Sequence, residues 1–152
     1  MKVRRSIWIA LFITIAFALF VSTIFVDRVP TASLTDCAMH MCKRRILRYA
    51  ASHNALPQKL TQIAEIQGYY NSINDAWGHE IIYIVEANGD VRLMSLGKDN
   101  KIGGENDDAD MIGIFPSKTA DGRWSDEFVE WKQDPFEQFK KQRQTKVLPV
   151  QK

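Results

Sequence analysis

The chain has 152 residues, 45% of them hydrophobic and 25% charged, which leaves room for one domain of ordinary size and excludes both a multi-domain enzyme and a wholly disordered chain. The formal net charge of +2 sums unlike parts: Lys2, Arg4 and Arg5 stand together near the start, and the remainder nets about −1. A nucleic-acid footprint would need a basic face on the folded domain, so that class is excluded too.

Residues 7–26 are twenty positions without a charge. At roughly 1.5 Å per residue they span about 30 Å, the thickness of a bilayer's hydrocarbon core, and predict a transmembrane anchor. The basic residues before it put residues 1–6 in the cytoplasm and the rest across the membrane, by the excess of Lys and Arg on cytoplasmic flanks. A cleaved secretory signal is the competing reading. Its apolar core usually runs only ~7–15 residues, and Thr31-Ala32-Ser33 is a weak cleavage site. Asp36 before Cys37 argues against a lipoprotein.

Beyond the break at Val29-Pro30-Thr31, Ser33 and Asp36 resemble a capping box that opens a helix. Ala38, Met39, Cys42, Ile46, Tyr49 and Ala50 recur at helical spacing and predict an amphipathic helix ending near His53. Lys43, Arg44, Arg45 and Arg48 fill its other surface; they are read as a solvated face, with contact to anionic headgroups as the alternative. Cys37 and Cys42 are the only cysteines, five apart. In one helix they lie about 8 Å apart on different sides, too far to bridge, so they read as two small apolar residues.

Pro57 is expected to open a second short helix to about Glu65, with Leu60 and Ile63 inward. Residues 67–79 read as an ordered loop. The runs 80–86 and 91–96 read as strands joined at Asn88-Gly89, a pair suited to the two positive-φ positions of a tight hairpin turn. A glycine-rich loop follows at 97–110, and 111–115 is a candidate third strand. Residues 116–152 form an extension in which Trp124, Phe128, Val129, Trp131, Phe136 and Phe139 suggest two short amphipathic helices divided at Asp134-Pro135. Its aromatics are expected to pack on the domain's own sheet rather than on a partner.

The loop holds Asp99, Glu105, Asp107, Asp108 and Asp110 within twelve residues, opposed by Lys101. Such like charges repel unless water or a cation neutralises them. Gly97, Gly103 and Gly104 let the backbone turn so that carbonyls and carboxylates converge, a donor set that suits calcium better than magnesium or zinc. The spacing is not that of an EF-hand: with Asp99 first, Lys101 and Gly103 stand where acidic ligands belong. A solvated acidic turn is the alternative.

Several motifs, in order, carry a resemblance. These are Arg45-Ile46-Leu47-Arg48-Tyr49-Ala50 with His53-Asn54 and Leu56-Pro57; Asn74-Asp75-Ala76-Trp77-Gly78-His79-Glu80-Ile81-Ile82-Tyr83; Ser95-Leu96-Gly97-Lys98-Asp99; Gly103-Gly104-Glu105; and Ala109-Asp110. Together they resemble the C-terminal half of type II secretion system protein G, the major pseudopilin family, over roughly residues 38–112. The resemblance implies an α+β fold in which a helix packs on a small antiparallel sheet, over residues 33–115, with a structural calcium ion in the loop after the hairpin. By position, Asp99 and Asp110 would bind the ion through their carboxylates and Leu96 through its carbonyl. Ile102, Asp107 and Asp108 are the candidates for the remaining oxygens.

The family's N-terminus carries a Gly at which the leader is cut and a Glu soon after it. Residues 6–11 contain neither, so the anchor is expected to stay whole. The expected protein is a single-pass component of the bacterial inner membrane with a periplasmic domain, taking part in a secretion or pilus-like assembly. A stand-alone, membrane-tethered calcium-binding module is the second reading. No catalysis is expected, because His40, His53 and His79 have no nucleophile elbow around them.

Overall fold

The computed structural model describes residues 29–137, together with Thr14. The expected cytoplasmic segment 1–6, the anchor 7–26 and the end of the extension, with Phe139, lie outside the described residues. Among the described residues no helix is long and apolar enough to cross a membrane.

Helix α1 runs Thr31–His53. Ala32, Thr35, Ala38, Met39, Cys42, Ile46 and Ala50 recur at three- and four-residue steps, so one stripe faces the core, and each is buried. The capping box expected at Ser33 and Asp36 does not form, because the helix starts earlier. Pro30, at φ −56°, is the N-cap and has no side-chain cap. Its carbonyl accepts from the amides of Ser33 and Leu34 at 2.9 and 3.3 Å. Burying Ala32, 1% exposed, favours this longer helix and leaves Asp36 inside it, 3.6 Å from His40. Asn54, left-handed at φ 52°, ends it. Both cysteines are free; Cys37 is exposed and Cys42 buried, and burial pushes the Cys42 thiol up to about 12.

Three antiparallel strands follow in the spatial order β1-β2-β3: β1 Ile82–Val85, β2 Asp90–Ser95 and β3 Met111–Pro116. Tyr83 pairs with Leu93 and Leu93 with Gly113; Val85 pairs with Val91 and Val91 with Phe115. That register puts Val91, Leu93, Met111 and Phe115 on the face that packs against α1, all 0–1% exposed. The hairpin forms, but its turn differs from expectation. Gly89 has positive φ (85°) and Asn88 does not. The Gly89 amide donates to the Glu86 carbonyl at 2.9 Å and the Glu86 amide to the Asp90 carbonyl at 2.8 Å. The loop is therefore three residues long, a turn at Ala87-Asn88 closed by a left-handed glycine. Asn88 serves through its side chain, whose oxygen accepts from the Asp90 amide at 3.0 Å.

The second helix expected at 57–65 reduces to one 3-10 turn, Leu60–Gln62. Gln62 Oε1 accepts from the Gln58 amide at 2.7 Å, and Leu60 and Ile63 are buried as expected. The chain then crosses to the loop before β1 without regular structure, and Arg45 holds it there. Only 4% exposed, Arg45 donates from Nη2 to the Ile63 carbonyl (2.9 Å), from Nε to that of Ala64 (2.9 Å) and from Nη1 to that of Asn71 (2.7 Å). Within the basic stretch, Lys43 and Arg45 are thus buried rather than solvated, and Arg48 remains exposed. Lys43, 6% exposed, donates to the Val129 carbonyl at 2.6 Å, and burial pushes its ammonium below the usual range against the opposing pull of Glu130 and Asp134.

The extension forms no amphipathic helix between 117 and 136; most of the helix expected after Asp134-Pro135 lies outside the described residues. Between 117 and 136 it is a series of turns and isolated bridges, its backbone taken up by the sheet and by a small loop of its own. Gln133 bridges to Ile114 on the outer edge of β3, and Lys118 bridges to Trp124. Trp131 stands edge-on to Phe115 and His40, with ring centres 5.4 and 5.2 Å apart. It leans on Gly113, where an added Cβ would meet it at 2.6 Å. Val129, Trp131 and Phe136 pack against the core, as expected of the tail aromatics, while Phe128 remains 66% exposed.

Replacing Arg45 by Leu removes three charge-assisted bonds and leaves three carbonyls of an irregular segment unpaired. The expected loss is roughly 3 kcal/mol or more of unfolding free energy, read from the urea midpoint. A midpoint equal to wild type would show that the segment holds itself.

Candidate functional site

Two short segments meet where the hairpin ends: the turn 74–80 that leads into β1, and the loop 96–110 that leaves β2. Asp75 joins them. Its carboxylate is 4% exposed, with Oδ1 accepting from the amides of Trp77 (3.0 Å) and His79 (2.8 Å) and Oδ2 accepting from Ser95 Oγ (2.7 Å) at the end of β2. The Asp75 amide donates to the His79 carbonyl at 2.8 Å, so the turn is closed by backbone as well as side chain. Gly78, at φ 94°, supplies the left-handed position this requires. His79 Nδ1 lies 3.1 Å from the Gly97 carbonyl and 3.6 Å from Asp75 Oδ2, tying the turn to the base of the acidic loop.

Within the loop, Gly97 and Gly104 have positive φ (67° and 97°) and press against the backbone of Asp108. A Cβ on Gly97 would stand 2.6 Å from the Asp108 carbonyl carbon, and one on Gly104 would stand 2.9 Å from it. The Lys98 amide donates to the Asp107 carbonyl at 2.8 Å. Asp107 and Asp108 sit in a 3-10 turn, Asn106–Asp108, and Asp110 immediately precedes β3. One Asp110 oxygen, Oδ2, accepts from the Gly103 amide at 2.9 Å; the other, Oδ1, is buried without a hydrogen-bond partner.

The fold thus gathers the backbone of Gly97, Lys98 and Gly104 against that of Asp107 and Asp108, while the Gly103 amide holds the Asp110 carboxyl. Asp99 lies on the exposed limb, where its Oδ1 accepts from the Lys101 amide at 3.1 Å. Ile102 shows its side chain to solvent, 88% exposed. Leu96 directly follows β2. Among the described residues no three His, Cys, Asp or Glu side chains form a group able to hold a metal ion. A cation in this loop would therefore draw part of its coordination from backbone carbonyls. The unpartnered Asp110 oxygen and the glycine-folded backbone fit a hard cation of that kind.

Sequence reasoning missed Asp75, which reads there as one polar residue of a loop. The available signal was Asn74-Asp75 two residues before Trp77-Gly78, a pattern in which an aspartate accepts from amides ahead of it. Asp75→Ala strands the buried Ser95 hydroxyl and two amides, and is expected to lower unfolding free energy by about 2–4 kcal/mol. Asp75→Asn keeps an acceptor and is expected to recover most of that. Equal urea midpoints for Asp75→Ala and wild type would contradict this role.

A family model described as type II secretion system (T2SS), protein G, matches residues 32–114. That is more than half of the 152-residue chain. It spans α1, the Asp75 turn, the hairpin, the acidic loop and nearly all of β3. Neither curated proteins nor solved structures give a significant match. The helix-on-sheet arrangement, the ordered motifs and this match together place the chain: it belongs to the type II secretion system protein G family.

Proposed function

We propose that the chain is a membrane-anchored, extracytoplasmic structural component of a type II secretion or pilus-like assembly, and that its acidic loop holds a structural calcium ion. Membership in the protein G family carries this reading. The charge-free residues 7–26 behind a basic N-terminus support the anchor, with the domain on the periplasmic side of a bacterial inner membrane.

The carboxylates of Asp99 and Asp110 and the carbonyl of Leu96 would hold the ion, with oxygens of Ile102, Asp107 and Asp108 completing its shell. A bound calcium ion supplies positive charge and six to eight oxygen contacts, which offset the mutual repulsion of the loop's carboxylates. The chain's own residues do the positioning. Gly97 and Gly104 bring the loop's two limbs onto the backbone of Asp108, and the Gly103 amide orients Asp110 through Oδ2, leaving Oδ1 for the ion. His79 and Asp75 anchor the base of the loop to β2, so ordering the loop would also stiffen the end of the hairpin.

Added calcium is expected to raise the melting temperature by roughly 5 °C at saturating concentration, with Asp110→Asn and Asp99→Ala abolishing most of the rise. A melting temperature indifferent to calcium, or a full rise in both variants, would remove the ion from the proposal. The assembly role has its own test. The detergent-solubilised full chain is expected to co-purify with filament or membrane-platform proteins of a secretion system expressed beside it. A chain recovered alone from the complete system would point to a stand-alone tethered module.

A further inference from the structure

The domain has two ends, and the contacts along α1 show which segments lie at each. At the C-terminal end of α1, Trp124 Nε1 donates to Asn54 Oδ1 at 2.9 Å. Leu56, just beyond the helix, lines one cleft with Asn88, Gly89 and Asp90 of the hairpin turn. At the N-terminal end the Ala76 amide donates to Thr35 Oγ1 at 3.1 Å. The turn that holds Ala76 is tied to Ser95 through Asp75 and to the Gly97 carbonyl through His79. β2 therefore runs from the far end of α1 toward its start, and the acidic loop leaves the sheet at the end where α1 begins.

That end also exposes apolar side chains. Val29 and Leu34, at the start of α1, are 61% and 44% exposed, Ile102 stands out from the loop, and Trp77 in the turn is half-buried. The tips at the other end, Ala87-Asn88 and Asp121-Gly122-Arg123, are small or polar. Four residues, 27–30, separate the charge-free run 7–26 from α1. Four residues reach at most about 14 Å, and the headgroup layer itself is about 5–7 Å deep, so an anchored chain keeps this end within about 10 Å of the headgroups. Thr35 stands only about 6 Å further along the helix than Thr31.

The charge of the loop sets a condition. Five carboxylates against Lys98 and Lys101 leave residues 97–110 at −3, which an anionic bilayer repels. Once a cation offsets that charge, Ile102 can reach the boundary between headgroups and acyl chains, where an aliphatic side chain is stabilised by leaving water. Trp77 belongs to a residue type that favours the same depth.

We propose that, with calcium bound, the tip of the acidic loop docks through Ile102 on the phospholipid surface in which the chain is itself anchored. This rests on the anchor and the ion of the proposed function. One isoleucine would not hold a free domain to a membrane. The anchor already holds this one there, so docking is an intramolecular step and a small stabilisation suffices. The domain then stands with its base on the headgroups and its hairpin turn facing away from them.

The full-length chain in nanodiscs of phosphatidylcholine and phosphatidylglycerol gives the test. With Cys37→Ala removing the exposed thiol and Cys42 buried, a fluorophore on Ile102→Cys reads the loop and one on Ala87→Cys reads the hairpin turn. Lipid carrying a nitroxide near its headgroup is expected to quench the label at 102 at least ~3-fold more in calcium than in chelator, and to leave the label at 87 unquenched in both. The chelated sample carries the same dye, so the dye's own affinity for lipid cancels. Equal quenching at 102 and 87 in calcium, or quenching at 102 that chelator leaves unchanged, would overturn the proposal. Should chelation unfold the chain, the comparison of 102 with 87 in calcium decides by itself. A chain that does not co-elute with nanodiscs overturns the anchor, and docking with it. A chain that co-elutes but melts alike with and without calcium overturns the ion, and again docking. A chain that passes both and shows no excess quenching at 102 overturns docking alone.

Discussion

The guanidinium of Arg45 is the interaction on which the irregular half of this domain depends. A charge 4% exposed is tolerated only where its donors are matched, and here three carbonyls from residues 63, 64 and 71 match them. Those residues belong to a crossing segment whose only regular structure is one 3-10 turn; besides the bonds of Asn71 to Ile66 and Tyr69 and of Tyr83 to Pro57, it is held by what α1 offers. With Arg45 in position, Leu60 and Ile63 enter the core beside Met39 and Ile46. The chain then arrives where Asp75 can close its turn and bond Ser95. The acidic loop hangs from that turn through His79 and Gly97. A helix residue thus governs a loop far from it in sequence through two buried polar clusters in series.

The extension after β3 works in the same way on the other side of the molecule. Among its described residues there is no long helix, yet it touches α1, the hairpin and β3. Glu127 pairs with Arg44 at 2.9 Å and Arg48 at 3.2 Å, and the Arg44 bond holds its carboxyl below the usual range. Lys132 meets Asp90 at 2.7 Å beside the hairpin turn, and Trp124 donates to Asn54 at the C-terminus of α1. Each surface ion pair contributes little alone, because solvent screens it. The burial of Trp131 between Phe115, His40 and Gly113 supplies the larger share. Because the strap also occupies the outer edge of β3, it decides which sheet edge remains available.

Much of this was legible in the residue pattern, and the gaps have a common cause. The helix end at His53, the three strands and the inward Leu60 and Ile63 follow from periodicity and turn residues, which act over a few positions. The residue pattern locates the hairpin turn but not its geometry, since Asn-Gly serves both a two-residue loop and the three-residue loop found, and the choice shows only in the pairing of Val85 with Val91 and Glu86 with Asp90. The basic residues of α1 were read as solvated because nothing local to Lys43 or Arg45 announces carbonyls 18 to 86 positions away. The aromatics of the extension look helical at short range, whereas Trp131 instead packs on Phe115, His40 and Gly113. In the acidic loop, composition marks the glycines and carboxylates, while the packing of the loop alone leaves Asp110 Oδ1 buried without a partner.

The sequence by itself determined the α+β class, the order of the elements, the family and the loop in which cation chemistry would sit. All of these rest on local spacing or on an ordered series of short motifs. Only the tertiary structure decided that Arg45 and Lys43 are buried, that Asp75 ties two segments together, and that the extension is a strap along the outer edge of β3. Each of these depends on where a hydrogen-bonding group finds its partner across the fold, and a backbone carbonyl carries no mark in the sequence that names it.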